Sequence, residues 1–137
     1  MNTKKLILPN DVQEVPQLAA FVDEVCEVAG MDMPTMMKMN LAIEEAVVNV
    51  MNYAYPSGTK GEVRIEAKSH DGYVEFVISD DGTPFDPTAV KEADTTLSAE
   101  DRSIGGLGIF LVKHYMDKVK YKYVGGQNVL TLRKNLK

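Results

Sequence analysis

The segment between residues 62 and 79 constrains the fold most strongly. Apolar and charged side chains alternate from Glu62 to Ala67, and an alternating pattern resumes from Tyr73 to Ser79. A period of two is typical of strands that bury one face. Between the two runs stands His70-Asp71-Gly72, and an Asp-Gly pair favours the tight turn of a hairpin. The centre of the chain is therefore predicted to form an antiparallel β-hairpin.

Two helices are predicted before this hairpin. Apolar residues recur at helical spacing from about Val12 to Ala29, with Asn10 or Asp11 as the capping residue and Gly30 as the stop. A second helix is expected to begin near Pro34, which suits a first helical turn, and to run to about Tyr55. Two such helices can cover one face of a sheet.

The remaining pattern completes the predicted sheet. The region from Asp80 to Ser103 is irregular, and a loop of that length usually has a function. The other predicted elements are a strand at Lys4–Leu8, a helix at Ile104–Met116, and strands at Lys118–Val124 and Asn128–Arg133 around Gly125-Gly126. We therefore predict a single α+β domain, residues 1–137. It would be a two-layer sandwich of a mixed or antiparallel sheet, covered by helices on one face and carrying a lid.

Composition narrows the possible functions. The chain of 137 residues has a net charge of −5, and such an acidic protein gains little from neutralising the phosphates of DNA or RNA. Nucleic acid is therefore not an expected partner. No apolar stretch reaches membrane-spanning length, so a cytoplasmic protein without a membrane partner is expected. Cys26 is the only cysteine and is expected to be a buried hydrophobe, whereas His70 and His114 form no ligand motif.

Glu45, Asn49 and Asn52 form the first cluster that needs a chemical explanation. Spacings of four and three residues place them on one face of the second predicted helix, with Glu45 and Asn49 about 6 Å apart along its axis. Asparagine is a poor helix former, and here it stands among valines. One interpretation is a solvated polar stripe. The other is a rigid platform carrying a general base, an oxygen ligand for Mg²⁺ and a donor to phosphate.

Two glycine-bearing segments form the other clusters. Asp80 ends a predicted strand, and its carboxylate accepts hydrogen bonds only, which suits a donor such as the adenine amino group. Gly82 would let the backbone approach a ring. Gly105-Gly106-Leu107-Gly108 opens a predicted helix, where backbone N–H groups attract an anion. Taken alone, the first segment is also explained by an ordinary turn and the second by a lid hinge.

The order and type of the three clusters resemble those of the Bergerat-fold ATPases, the superfamily that includes gyrase B, MutL and the histidine kinases. Within it, the chain looks most like the stand-alone anti-sigma-factor serine kinases of bacteria. Residues 45–55 resemble the N box of these kinases, residues 80–87 their first glycine box and residues 106–117 their second. The resemblance spans nearly the whole chain, although the N-terminal strand and first helix match by layout only.

The resemblance implies a role for each residue of the first cluster. Glu45 would be the general base that prepares the attacking hydroxyl. Asn49 would bind the Mg²⁺ that bridges the phosphates of ATP, and Asn52 would line the phosphate side. Lys91 and Arg102 lie in the lid region and match no position of the family, so we expect them to be solvated charges.

The resemblance also implies how the nucleotide is held. Asp80 would bind the adenine amino group, Gly82 would lie beneath the ring, and Thr131 on the last strand would support the adenine through water. The other matched positions belong to the glycine boxes and would contact the nucleotide or let the lid close: Pro84, Gly105, Gly106, Leu107 and Gly108.

The implied function is ATP-dependent phosphorylation of a serine or threonine on a small anti-anti-sigma-type protein, combined with restraint of a sigma factor. Three alternatives stay open: a module that only sequesters its partner, a fragment of a sensor histidine kinase, and an ATP hydrolase of the chaperone or gyrase kind. Glu45 favours chemistry over simple sequestration. The family also suggests a homodimer, formed through the apolar side of the first helix or through the strand Leu6–Leu8.

Overall fold

The computed structural model describes residues 2–55, 60–86 and 112–136. The helices and strands are, in chain order, β1 (Asn2–Pro9), a 3₁₀ turn (Val12–Glu14), α1 (Val15–Val28), α2 (Met33–Tyr53), β2 (Glu62–His70), β3 (Tyr73–Asp80), β4 (Lys118–Val124) and β5 (Gln127–Asn135). Residues 112–115 are also helical. They lie at the end of the predicted helix Ile104–Met116, whose first eight residues are outside the described part of the chain.

The five strands form one sheet in the order β1-β2-β3-β5-β4, and every neighbouring pair is antiparallel. The prediction of a mixed or antiparallel sheet is therefore confirmed in its antiparallel form. Both predicted hairpins are present, and Gly72, Gly125 and Gly126 have positive φ in their turns. Because β5 rather than β4 pairs with β3, Asp80 at the end of β3 lies opposite Asn128 at the start of β5.

One face of the sheet and the facing sides of α1 and α2 form a single core. The alternating residues of the central strands point into it, and its largest fully buried side chains are Phe76, Leu8, Leu18, Met39, Ile43, Ile65, Ile78, Leu132, Val22, Val47 and Val63. This arrangement confirms the predicted α+β two-layer fold. The apolar side of α1 is thus core, as is Leu8, whereas Ile7 stays exposed on β1. Cys26 is fully buried as predicted, and burial raises the pKa of its thiol to about 12.

The start of α1 differs from the prediction for a local reason. The first helix begins with a 3₁₀ turn at Val12–Glu14, stabilised by a 2.9 Å hydrogen bond from the Gln13 N–H to Asp11 Oδ1. Regular α-helix starts at Val15, where the following proline fits a first turn because it needs no N–H partner. Gly30 follows the end of α1 with φ +79°, as predicted. Among the described residues, neither helix has the length and apolar character needed to span a membrane.

Helix α2 is fixed at both ends. At its start, Asp32 Oδ1 accepts a 2.9 Å hydrogen bond from the Thr35 N–H, which satisfies one of the free donors of the first turn. At its end, regular helix stops at Tyr53, two residues before the predicted limit. The Ala54 N–H still donates to the Val50 carbonyl, but the Tyr55 hydroxyl donates to the Glu62 carbonyl outside the helix. Hydrogen bonds therefore hold both ends of α2, while its inner side belongs to the core.

Candidate functional site

Two polar side chains on α2 have buried atoms without partners. Asn49 is only 2% exposed, and Glu45 is half-buried one turn before it. Within the described part of the chain, neither Glu45 Oε1 nor Asn49 Nδ2 has a hydrogen-bond partner. An unpaired buried polar group costs about 1–3 kcal/mol, so its presence in a native fold calls for an explanation. A ligand that these two atoms bind is such an explanation. Asn52 lies further along α2 and is exposed.

The environment of Glu45 shifts its proton affinity. Burial, reinforced by the negative charge of the neighbouring Glu44, raises the pKa of Glu45 above the usual value for a glutamate. A higher pKa makes the carboxylate a stronger base. This side chain is therefore better suited to accept a proton than an exposed glutamate on the same helix would be.

Asp80 is the second polar group of the site and is fully buried at the end of β3. The side-chain amide of Asn128 donates to both of its carboxylate oxygens, at 3.0 Å each. Burial raises the pKa of Asp80, and the hydrogen bonds from Asn128 and from the Gly82 N–H partly oppose that rise. A buried carboxylate held in this way can accept a hydrogen bond from a donor group of a ligand.

The turn after Asp80 lies directly against the end of α2. The Thr83 N–H and the Thr83 Oγ1 hydroxyl both donate to the Ala54 carbonyl, at 2.7 and 2.9 Å. A Cβ atom at Gly82 would lie 2.4 Å from the same oxygen, so only glycine allows this approach. Phe85 stacks on Tyr53 with ring centroids 5.4 Å apart. The fold thereby joins the Asp80 turn to the helix that carries Glu45 and Asn49.

Tyr55 and Arg64 support the outer side of the turn. The Tyr55 hydroxyl donates to the Glu62 carbonyl at 2.8 Å and accepts from the Asp81 N–H at 3.0 Å. Arg64 makes a bidentate pair with Asp81, with both N–O distances at 3.1 Å. This pairing lowers the pKa of Asp81, which is exposed. A cleft of about 710 Å³ lies on this side and includes Pro84, but Glu45, Asn49 and Asp80 do not line it.

The structure does not bring Thr131 to Asp80. Strand β5 buries Asn128, Leu130 and Leu132, whereas Thr131 lies on the opposite face of the sheet, paired with Val77. The expectation that Thr131 lies on the same side of the sheet as Asp80 is therefore wrong for this fold, since side chains alternate across a strand. Asn128 occupies that place instead, a residue that sequence reasoning missed. The sequence signal for Asn128 was its spacing of two and four residues from Leu130 and Leu132, which places all three side chains on the same face of β5.

Six positions cannot be placed. Gly105, Gly106, Leu107 and Gly108, together with Lys91 and Arg102, lie outside the described residues. In the described fold the turn after Asp80 contacts the end of the helix that carries the first cluster, and the third cluster stays a prediction.

Comparison with known proteins points to one family. Residues 8–134 match the family described as the histidine kinase-like ATPase domain. The serine-protein kinase RsbW of Listeria monocytogenes is 33% identical over 106 residues, covering 74% of this chain and 68% of that protein. The serine/threonine-protein kinase BtrW of Bordetella bronchiseptica is 29% identical over 94 residues, covering 69% of this chain and 66% of that protein.

Solved structures agree on the fold. The RsbU and RsbW domains of a Mycobacterium tuberculosis protein match with a TM-score of 0.69 at 16% identity, covering 98% of this chain and 32% of that chain. A mycobacterial sensor histidine kinase, MprB, matches with a TM-score of 0.56, also at 16% identity, covering 95% of this chain and 97% of that chain. The sequence match over residues 8–134 and the shared α+β architecture lead to one conclusion: this chain belongs to the histidine kinase-like ATPase domain family.

Proposed function

We propose that this chain is an ATP-dependent serine/threonine protein kinase that acts on a small anti-anti-sigma-type protein and restrains a sigma factor. One observation carries the proposal: the Asp80 turn is hydrogen-bonded to the end of the helix that presents the unpaired atoms of Glu45 and Asn49. Asp80, which would accept a hydrogen bond from the adenine, and Glu45, which would accept the hydroxyl proton, thus lie on two segments that are hydrogen-bonded to each other. The relatives named serine-protein kinases support the choice of reaction.

In this proposal the adenine binds at Asp80. The ionised carboxylate accepts from the 6-amino group of the base. Gly82 follows in the turn, where the absence of a Cβ atom lets the backbone lie against the Ala54 carbonyl. Pro84 follows in the same turn. Gly105, Gly106, Leu107 and Gly108 would contact the phosphates through backbone N–H groups at the start of a helix. Asn128 takes the supporting position that the family resemblance assigned to Thr131.

The residues of α2 fit the triphosphate and its magnesium ion. The Asn49 amide carries both a carbonyl oxygen, which suits Mg²⁺, and the unpaired Nδ2, which suits a phosphate oxygen. No group of three or more acidic, histidine or cysteine ligands occurs among the described residues, so most ligands of the ion would come from phosphates and water. When bound, magnesium neutralises negative charge on the phosphates. Asn52, exposed further along α2, would contact the phosphate side.

Glu45 would perform the proton transfer. The oxygen of the substrate hydroxyl forms a bond to the γ-phosphorus, the bond from that phosphorus to the ADP oxygen breaks, and the hydroxyl proton passes to the Glu45 carboxylate. The raised pKa of Glu45, caused by its burial, favours its role as acceptor of this proton.

The test measures phosphate transfer from γ-labelled ATP to an anti-anti-sigma-type protein of the same organism. Glu45→Gln is expected to lower the transfer rate by roughly 10²- to 10⁴-fold, because the general base is lost. ATP binding, measured by titration calorimetry, should persist in this variant. Glu27→Gln is the control, since Glu27 is exposed on α1 and is not among the groups that raise the pKa of Glu45, and it should keep the wild-type rate. Equal rates for Glu45→Gln and wild type would exclude Glu45 as the base.

One observation favours the alternative, a module that binds its partner without phosphoryl transfer. Met33, Met37 and Leu41 are 67%, 62% and 51% exposed, and their spacing of four residues forms an apolar stripe on the outer side of α2. Exposed apolar patches commonly mark sites of protein interaction. ATP binding combined with tight partner binding, but without labelled product at any enzyme concentration, would favour this alternative over the kinase.

A further inference from the structure

Asn128 is the best-connected polar side chain of the site. It is 5% exposed and faces Asp80 across the β3–β5 pair. Its Nδ2 donates to Asp80 Oδ1, to Asp80 Oδ2 and to the Thr83 carbonyl, at 3.0, 3.0 and 2.8 Å. Its Oδ1 accepts from the Phe85 N–H at 2.9 Å and from the Tyr121 hydroxyl. One amide therefore joins β3, the following turn, β4 and β5.

This set of partners fixes the orientation of the amide. A primary amide offers two N–H donors on one side and a carbonyl oxygen with two lone pairs on the other. Nδ2 faces three acceptors and Oδ1 faces two donors, so both ends are fully used. Rotating the amide by half a turn would set its oxygen against the Asp80 carboxylate and its NH₂ against the Phe85 N–H. Asn128 consequently has no hydrogen bond left for a ligand and acts through Asp80.

The charged groups near Asp80 act on its pKa in opposite directions. Asp81, next in the chain, raises the pKa of Asp80, and Arg64 on β2 lowers it. Burial raises the pKa of the Tyr55 and Tyr121 hydroxyls, and the negative charge of Asp80 adds to the rise of each. Apart from Asn128, the Gly82 N–H is the hydrogen bond that opposes the effect of burial on Asp80. Asn128 is therefore the side chain that most directly favours the ionised carboxylate.

We propose that Asn128 is a positioning residue that keeps Asp80 an acceptor-only carboxylate and so determines the choice of adenine over a 6-oxopurine. The inference rests on the proposed nucleotide site. The 6-amino group of adenine donates to an ionised carboxylate, whereas the 6-oxo group of hypoxanthine is an acceptor that this carboxylate repels. A site built to bind a donor discriminates strongly against an analogue that lacks it, because the buried group is left unpaired. Without Asn128, Asp80 would more readily hold a proton and could donate it to the 6-oxo group.

The experiment compares ATP with inosine triphosphate by titration calorimetry at pH 8 and pH 6. Wild type should prefer ATP at both values. Asn128→Leu and the smaller Asn128→Ser should each lower the ratio of the two affinities by about tenfold or more at pH 6. The decrease should be smaller at pH 8, because a higher pH favours the ionised carboxylate. Thr131→Val is the matched control, because it lies on the other face of the same strand, and it should keep the wild-type ratio at both values.

The outcomes separate this inference from the proposed function. If wild type binds neither nucleotide, the nucleotide site itself is wrong and the inference falls with it. If wild type prefers ATP and both folded Asn128 variants keep its ratio at pH 8 and pH 6, the inference alone is overturned. If both variants fail to fold, Tyr121→Phe decides: it removes one donor to Asn128 Oδ1 and should lower the ratio by a smaller factor. An unchanged ratio in that variant would overturn the inference.

Discussion

Asp80 and Asp81 are adjacent in the chain, yet their carboxylates have opposite environments. Asp80 continues the buried phase of β3 after Val74, Phe76 and Ile78, and its carboxylate is fully buried against Asn128. Asp81 faces the other side and pairs with Arg64 in an exposed position. Because side chains alternate along a strand, the phase of the apolar residues is enough to identify Asp80 as the inward-facing acid of the two.

Gly82 allows a prediction at the scale of one residue. Its φ is not positive, so alanine would meet no backbone strain there, and only the 2.4 Å approach of a Cβ atom to the Ala54 carbonyl opposes it. Gly82→Ala should lower the free energy of unfolding by about 1–3 kcal/mol, as overpacking does, and weaken ATP binding because the turn must shift. Urea denaturation and calorimetry measure the two effects.

Thr83→Ala is the comparison for this variant. It removes the hydroxyl bond to the Ala54 carbonyl without adding an atom, so it should cost less stability than Gly82→Ala. A Gly82→Ala protein as stable as wild type, with unchanged ATP affinity, would show that the turn does not need to lie this close to α2.

At the scale of elements, local pattern predicted the helices and strands, but contacts between them set details that no local pattern contains. The alternating runs fixed the hairpin β2–β3, and helical spacing fixed α1 and α2, because these signals depend on neighbours in the sequence. The end of α2 shifted to Tyr53 since Ala54 and Tyr55 bond to the Asp80 turn and to β2. Register across β3 and β5 is likewise non-local, which is why Asn128 could not be predicted as the partner of Asp80, whereas Thr131 was taken from the family resemblance.

Tyr55 tests how these elements are held together. Its hydroxyl bridges the Glu62 carbonyl on β2 and the Asp81 N–H after β3, from a position just beyond α2. Tyr55→Phe leaves both backbone groups without that partner and should lower the free energy of unfolding by about 1–3 kcal/mol. Tyr53→Phe is the control, since Tyr53 is 43% exposed, and it should change stability little. Equal denaturation midpoints for the two variants would contradict the bridging role.

At the scale of the whole molecule, the fold was more predictable than the site. Burying the apolar faces of the helices and strands in the described part of the chain leaves few arrangements, and the two-layer sandwich is one of them. Glu45, Asn49 and Asp80 could be selected because polar residues in apolar surroundings are conspicuous in a sequence. The partners that give them their properties, such as Asn128 for Asp80, come from distant parts of the chain. Which residue pairs with which could not be predicted without the topology.

A stability test of the whole molecule follows from the pKa of Glu45. Burial raises this pKa in the folded state, so the native protein holds the proton more tightly than the unfolded chain. Unfolding free energy then falls as pH rises from the unfolded pKa through the folded one. Ionised Glu45 therefore destabilises the fold near neutral pH, a cost typical of functional sites.

Glu45→Gln removes this ionisation and should raise the urea midpoint at pH 7 to 8. The gain should shrink as pH falls through the folded pKa of Glu45, because the wild-type side chain then becomes neutral as well. Glu44→Gln, on the exposed neighbour, should give a much smaller change at pH 7 to 8. Urea denaturation of the three proteins between pH 5 and 8 measures the trend. If Glu45→Gln is less stable than wild type at pH 8, then the carboxylate has a stabilising partner in the apo protein. In that case its unpaired oxygen could not be attributed to a missing ligand.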